Sequence, residues 1–130
     1  MTTGGGDPLT RRFDADELRR ALREGRLTGL TGAFEELVGY RVRHDPAGGA
    51  YLELEVGERH LSQYGIAHGG VTLTLLDAAG GVACFLAAPD ALRVATITLA
   101  ANFVRGVPPG LVVATARVDG AGGSVAPASM

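Results

Sequence analysis

Two groups in one stretch of the chain could do chemistry: His68 with Gly69 and Gly70 behind it, and Asp77 within the apolar run that follows. A helix beginning at Gly69 or Gly70 leaves its first backbone N–H groups without intrahelical partners, and the helix dipole adds partial positive charge there. Glycine at both positions lets a carbonyl oxygen approach the backbone closely. The same geometry stabilises the negative oxygen that develops during acyl transfer. His68, just ahead of the helix, can donate a hydrogen bond or orient the reacting group. Asp77 is an acid on an apolar helix, and a buried carboxylate without a partner costs several kcal/mol. It therefore has either a catalytic task or a structural hydrogen bond to a neighbouring threonine or the following strand. At a rise of about 1.5 Å per residue, His68 and Asp77 stand roughly 13 Å apart along one helix and cannot share a carbonyl. A site using both must combine His68 and a glycine of one subunit with Asp77 of another, and a two-fold dimer would hold two such sites.

Other chemistries fit less well. Cys84 lies on nearly the same face as Asp77, but no cation stands near it in the sequence to activate a thiolate, and it reads as a small core residue. As the single cysteine it excludes an internal disulfide and gives no sign of an oxidising compartment. His60, His68 and Asp77 match no compact zinc spacing, and His44 has no companion ligand, so no metal is expected. The glycines do not follow a strand with dinucleotide-binding spacing, there is no Gly-x-Ser-x-Gly elbow, and no cofactor is expected. A net charge of -2 and a pI near 5.9, with every basic side chain an Arg, argue against a nucleic-acid partner.

The elements that must position these groups follow from pattern. A chain of 130 residues, 46% hydrophobic and 20% charged, fits one globular domain. Residues 1–9 read as a disordered leader without the features of a secretory signal, and the expected location is cytoplasmic. Asp14-Ala15-Asp16-Glu17 opens a helix that Gly25 stops. Leu18 and Leu22 form its apolar face, and its arginines are expected in solvent. Ala33 to Leu37 forms a short helix before Gly39. Tyr40 to His44 and Tyr51 to Val56 alternate around a turn at Asp45 to Gly49, giving a hairpin with Leu52, Leu54 and Val56 on one face. The run from Val71 to Ala88 contains Asp77, glycines and threonines and is read as the helix of a soluble protein rather than a membrane span. Val94 to Val104 and Leu111 to Val118 read as strands, the first with Thr96, Thr98, Ala100 and Asn102 on one face. The Gly/Ala/Ser/Pro-rich residues 119–130 read as a flexible tail without a strand.

The run Arg59 to Gly70, then Leu75-Leu76-Asp77-Ala78-Ala79-Gly80, then Thr98 with Asn102-Phe103-Val104-Arg105, resembles the hotdog-fold acyl-CoA thioesterases of the phenylacetate-degradation (PaaI) type. The resemblance covers about residues 30–118. It implies an α+β hotdog fold, an antiparallel sheet wrapped around the long central helix; with the length of the chain, a single hotdog domain at 10–118 preceded by an N-terminal helix is expected. It also implies homodimers or homotetramers with sites at the interface, and an acyl-CoA substrate.

Position by position, the resemblance implies that Asp77 activates water or attacks the thioester carbonyl. Gly69 or Gly70 would supply the oxyanion N–H, His68 would orient the thioester, and Thr96 would help hold the water. Ser62, Gly65 and Arg105 are expected on the substrate side, with Arg105 meeting a phosphate of coenzyme A. In two respects the chain departs from the family pattern. Ser62 stands where asparagine is usual, and its hydroxyl is shorter. Two further strands would follow the one at Leu111 to Val118, so their apparent loss is expected to expose a sheet edge. Hydrolysis of a small acyl-CoA or aryl-acyl-CoA is the leading expectation. An inactive acyl-CoA-binding or regulatory module is the alternative, and a dehydratase of hydroxyacyl thioesters stands behind both.

Overall fold

A computed structural model describes residues 14–24, 32–45, 50–120 and 128–129. The expected leader at 1–9, the stop at Gly25 and the turn residues 46–49 lie outside the described residues. The first helix, α1 (Ala15–Glu24), is capped by Asp14, whose Oδ1 accepts the Glu17 N–H at 2.9 Å and whose carbonyl accepts from Leu18 at 3.0 Å. It buries Ala15, Ala21 and Leu22, with Phe85 meeting Ala15 and Leu22 from the central helix. The expectation that its arginines all face solvent fails at Arg19, which is 6% exposed. Positions 15, 19 and 22 share one face at helical spacing, so Arg19 points inward with the apolar stripe.

Helix α2 (Ala33–Val38) ends where Gly39 turns left-handed at φ 88° and donates its N–H to the Glu35 carbonyl at 2.7 Å. A Cβ there would also lie 2.2 Å from Arg59 Nη2, a group that donates to the Val38 carbonyl. Gly39→Ala is therefore expected to destabilise the fold by about 1–2 kcal/mol, read as a lowered Tm or denaturant midpoint.

The hairpin forms as the alternation requires: β1 (Arg41–His44) pairs antiparallel with β2 (Ala50–Val56), and β3 (Gly110–Thr115) pairs antiparallel on the other side of β2. Leu52, Leu54 and Val56 are buried on the inner face, with Leu52 opposite Ala114 and Leu54 opposite Val112. On the outer face Arg43 donates to Glu53 at 2.8 Å across the hairpin. The central helix, α3 (Gly69–Ala87), lays Leu75 and Ala79 on the inner face to complete the core with Ala67 and Ala114. By length and composition α3 would also suffice to cross a membrane. Here one of its faces packs against a sheet, as the core helix of a folded domain does. This is the α+β arrangement expected, an antiparallel sheet with a long helix across it.

Two expectations about strands are corrected. Residues 94–104 form no strand: they follow the turn after α3 without ladder partners among the described residues. The alternation there is real, but a strand requires a neighbouring backbone, and within the described sheet no strand pairs with this segment. Conversely, Ala128–Ser129 (β5) pairs with Arg117–Val118 (β4), although the composition of the tail gave no strand signal. Two residues of ladder need only backbone groups, so no alternation of residue types is required to form it.

Candidate active site

The loop ahead of α3 is organised by His60, which is 5% exposed. Its Nδ1 accepts the Gly57 N–H at 3.0 Å, so the ring proton sits on Nε2 and is donated to the Val38 carbonyl at 2.7 Å. The His60 carbonyl in turn accepts the His68 N–H at 2.8 Å. The histidine weighed in the sequence as a metal ligand thus holds the loop that presents His68. Ser62 and Gly65 shape the turn between them. The Ser62 N–H donates to the Ile66 carbonyl at 2.7 Å, its carbonyl accepts from Gly65 at 3.1 Å, and its Oγ accepts the Tyr64 N–H at 3.3 Å. Gly65 takes φ 75°, a left-handed conformation that glycine adopts without strain.

At the start of α3 the donors divide between two tasks. His68 is the N-cap, and its Nδ1 accepts the Gly70 N–H at 2.9 Å; the Val71 N–H bonds to the His68 carbonyl at 2.9 Å. Gly69 is left with an N–H that has no partner among the described residues. Because Nδ1 is an acceptor, the neutral His68 ring carries its proton on Nε2, and the residue is exposed. The helix end therefore offers the Gly69 N–H and the His68 Nε2–H as donors, while Gly70 is committed to the cap.

Beside this end lies a groove of about 270 Å³ lined by Ile66, Gly69, Thr72, Phe103 and Arg105 among others. The Phe103 ring passes 3.6 Å from where a Cβ on Gly69 would sit, and Arg105 is exposed at the rim. The Ala67 N–H, donated to the Val107 carbonyl at 2.8 Å, ties the loop to the far end of the segment that carries both.

Asp77 is exposed, which corrects the expectation of a buried acid. The helix presents it outward, and Thr96 Oγ1 donates to its Oδ1 at 2.5 Å, a short charge-assisted bond. Its second oxygen has no partner among the described residues. Tyr40, half-buried, is a neighbour that the sequence reading missed: burial first, then Glu35 as charge and hydrogen-bond acceptor, then the charge of Asp77 push its phenol well above the usual range. It stays protonated as a neutral donor. No spacing marks it, because Tyr40 reads simply as the start of an alternating strand. The structure thus gathers His68, Gly69 and Arg105 at one end of α3 and Asp77 with Thr96 further along, and does not bring the two sets together within one chain. Among the described residues no three His, Cys, Asp or Glu side chains cluster as metal ligands would.

An antiparallel sheet crossed by a long helix, with an open helix N-terminus and one exposed helix carboxylate, defines a class, and sequence comparison gives its name. The model of the thioesterase superfamily matches residues 64–128, and the chain belongs to that superfamily. Among solved structures it is similar to a conserved protein of Pseudomonas aeruginosa, with 30% identity over 71% of this chain and 74% of the other and a TM-score of 0.62. It shares its fold with a Bacillus halodurans protein crystallised with CoA, at 21% identity over 87% and 78% of the two chains and a TM-score of 0.68. The same holds for the E. coli PaaI protein from the phenylacetic acid degradation operon, at 17% identity over 85% and 89% and a TM-score of 0.62. No curated protein matches the sequence.

Proposed function

We propose that this protein is a cytoplasmic thioesterase that hydrolyses a small acyl-CoA or aryl-acyl-CoA to the free acid and coenzyme A, without metal or cofactor. The observation that carries the reading is an exposed carboxylate on α3, Asp77, that accepts from the Thr96 hydroxyl of the segment after the helix, together with a Gly69 N–H at the helix start that has no partner among the described residues. Asp77 takes a proton from water as the water oxygen attacks the thioester carbonyl carbon. The resulting oxyanion accepts hydrogen bonds from the Gly69 N–H and the His68 Nε2–H. The C–S bond then breaks, and the departing thiolate takes the proton from Asp77. Thr96 fixes the carboxylate so that its free oxygen faces the water.

Because the donors and the acid stand about 13 Å apart along α3, the working site combines Asp77 and Thr96 of one subunit with His68 and Gly69 of a second copy. The exposure of Ile97 at 78%, Phe103 at 55% and Val104 at 87% on the segment that carries Thr96 supports a homodimer or homotetramer that covers it. Arg105 would bind a phosphate of CoA, a ligand held by the Bacillus halodurans relative.

One observation favours the alternative of an inactive acyl-CoA-binding module: the Ser62 hydroxyl accepts the Tyr64 N–H within its own turn. Thiol release from a panel of acyl-CoAs, measured with the mass in solution, tests both readings. Turnover by a dimer or tetramer is the expected result. Calorimetric binding without thiol release selects the inactive module, and full turnover by a monomer removes the shared site.

A further inference from the structure

We propose that Arg19, on α1 and outside the candidate active site, is a positioning residue that holds Thr96 against Asp77 by anchoring the turn at the end of α3. The proposal rests on the assignment of Asp77 and Thr96 to catalysis made above.

The last turn of α3 contains no basic residue of its own. Arg19 supplies that charge from a different helix. Its Nη2 donates to the Ala88 carbonyl at 2.7 Å and also to the Ala91 carbonyl, and its guanidinium lies 4.2 Å from the centre of the Phe85 ring. Nη1 is 3.6 Å from Asp16 Oδ1 on the solvent side. The Ala91 N–H donates to the Ala88 carbonyl at 3.0 Å, so one guanidinium clasps both ends of the turn that reverses the chain at Pro89 and Asp90. Positive charge at a helix C-terminus is favourable, and a planar fork over an aromatic ring holds its direction better than an ammonium would. Its Nε is buried without a hydrogen-bond partner among the described residues, so the carbonyl bonds are made by Nη2.

The link to the site is geometric. Asp77 lies about 16 Å back along α3 from Ala88, at about 1.5 Å per residue. From Ala91 the chain has only five steps to Thr96, which span at most about 16–18 Å when fully extended. The connector, which bends at Leu92, is therefore short between the clasp and the Thr96–Asp77 bond at 2.5 Å. If the clasp loosens, the displacement is passed along these few residues to Thr96. The residues between, Leu92 to Ala95, make no backbone hydrogen bond among the described residues that could absorb it.

The test uses Arg19→Met, which keeps an apolar stem over Phe85 and removes both carbonyl bonds, with Arg19→Lys as the conservative rescue. Expected for Arg19→Met is a fall in kcat of roughly tenfold with KM within about twofold, and partial recovery in Arg19→Lys. Combined with Thr96→Val it should cost little beyond Thr96→Val alone, since both changes remove one contact. Fully multiplicative losses, or a lowered Tm with unchanged kcat, would overturn the proposal in favour of a merely structural arginine.

A readout independent of turnover separates this from failure of the thioesterase assignment. In methyl-labelled spectra the Thr96 methyl resonance of Arg19→Met should move toward its position in Asp77→Ala. An unmoved resonance overturns the positioning role even in an inactive parent protein. Pro89→Gly loosens the same turn without touching α1. It carries the same expectation and the same refutation should Arg19→Met fail to fold.

Discussion

Asp77→Asn is expected to lower kcat for acyl-CoA hydrolysis by roughly 10²- to 10⁴-fold, the range attributable to a positioned general base. The substitution is unusually clean here. The amide oxygen can still accept from Thr96, and the side chain is exposed, so stability should change by no more than about 0.5 kcal/mol. Steady-state thiol release beside a thermal melt measures both quantities. A folded variant with the parent's rate would remove Asp77 from the chemistry, and a collapse of the melt would assign it to the fold.

The second large effect is expected at the oxyanion. Gly69→Pro deletes one N–H and should reduce kcat by roughly 10²- to 10³-fold, as the loss of one oxyanion donor does elsewhere. Proline is tolerated at the first position of a helix, and His68, at φ -58° and ψ 138°, already has the extended conformation that a following proline demands. Gly69→Ala is the control. Its Cβ would meet Phe103 at 3.6 Å, an ordinary contact, and the N–H survives, so activity should stay near that of the parent. Equal loss in both variants would mean that the methyl or ring blocks substrate, and the N–H would lose its assigned role.

The helix start, the hairpin and the inner face of β2 are legible in the sequence because each depends on local pattern: glycines after a histidine, alternation around a turn, and apolar residues at every second position. The choice between Gly69 and Gly70 is not legible. It turns on which N–H the His68 ring occupies, a matter of side-chain rotation that spacing does not encode. Arg19 escapes for a different reason: a charged residue on an amphipathic helix is ordinarily solvated, and its acceptors lie some 70 positions away, at Ala88 and Ala91. The segment 94–104 has a strand's alternation, but strand formation is a property of pairs, and its pair is not among the described residues. Asp77 read as buried because its neighbours are apolar; the helix has more apolar surface than one sheet covers, and the acid lies on the uncovered side.

Every candidate site residue from Ser62 to Arg105 lies on one excursion of the chain that leaves the sheet at Val56 and returns opposite it at Gly110. Closing a loop of roughly 50 residues costs about 3–4 kcal/mol in chain entropy before β2 and β3 can pair. The β1–β2 hairpin, by contrast, is local and quick to form. The acid, the hydroxyl and the helix donors therefore come into register only after this long-range closure, and recovery of activity on refolding should follow the slow joining of β3 to β2 rather than the early appearance of helix.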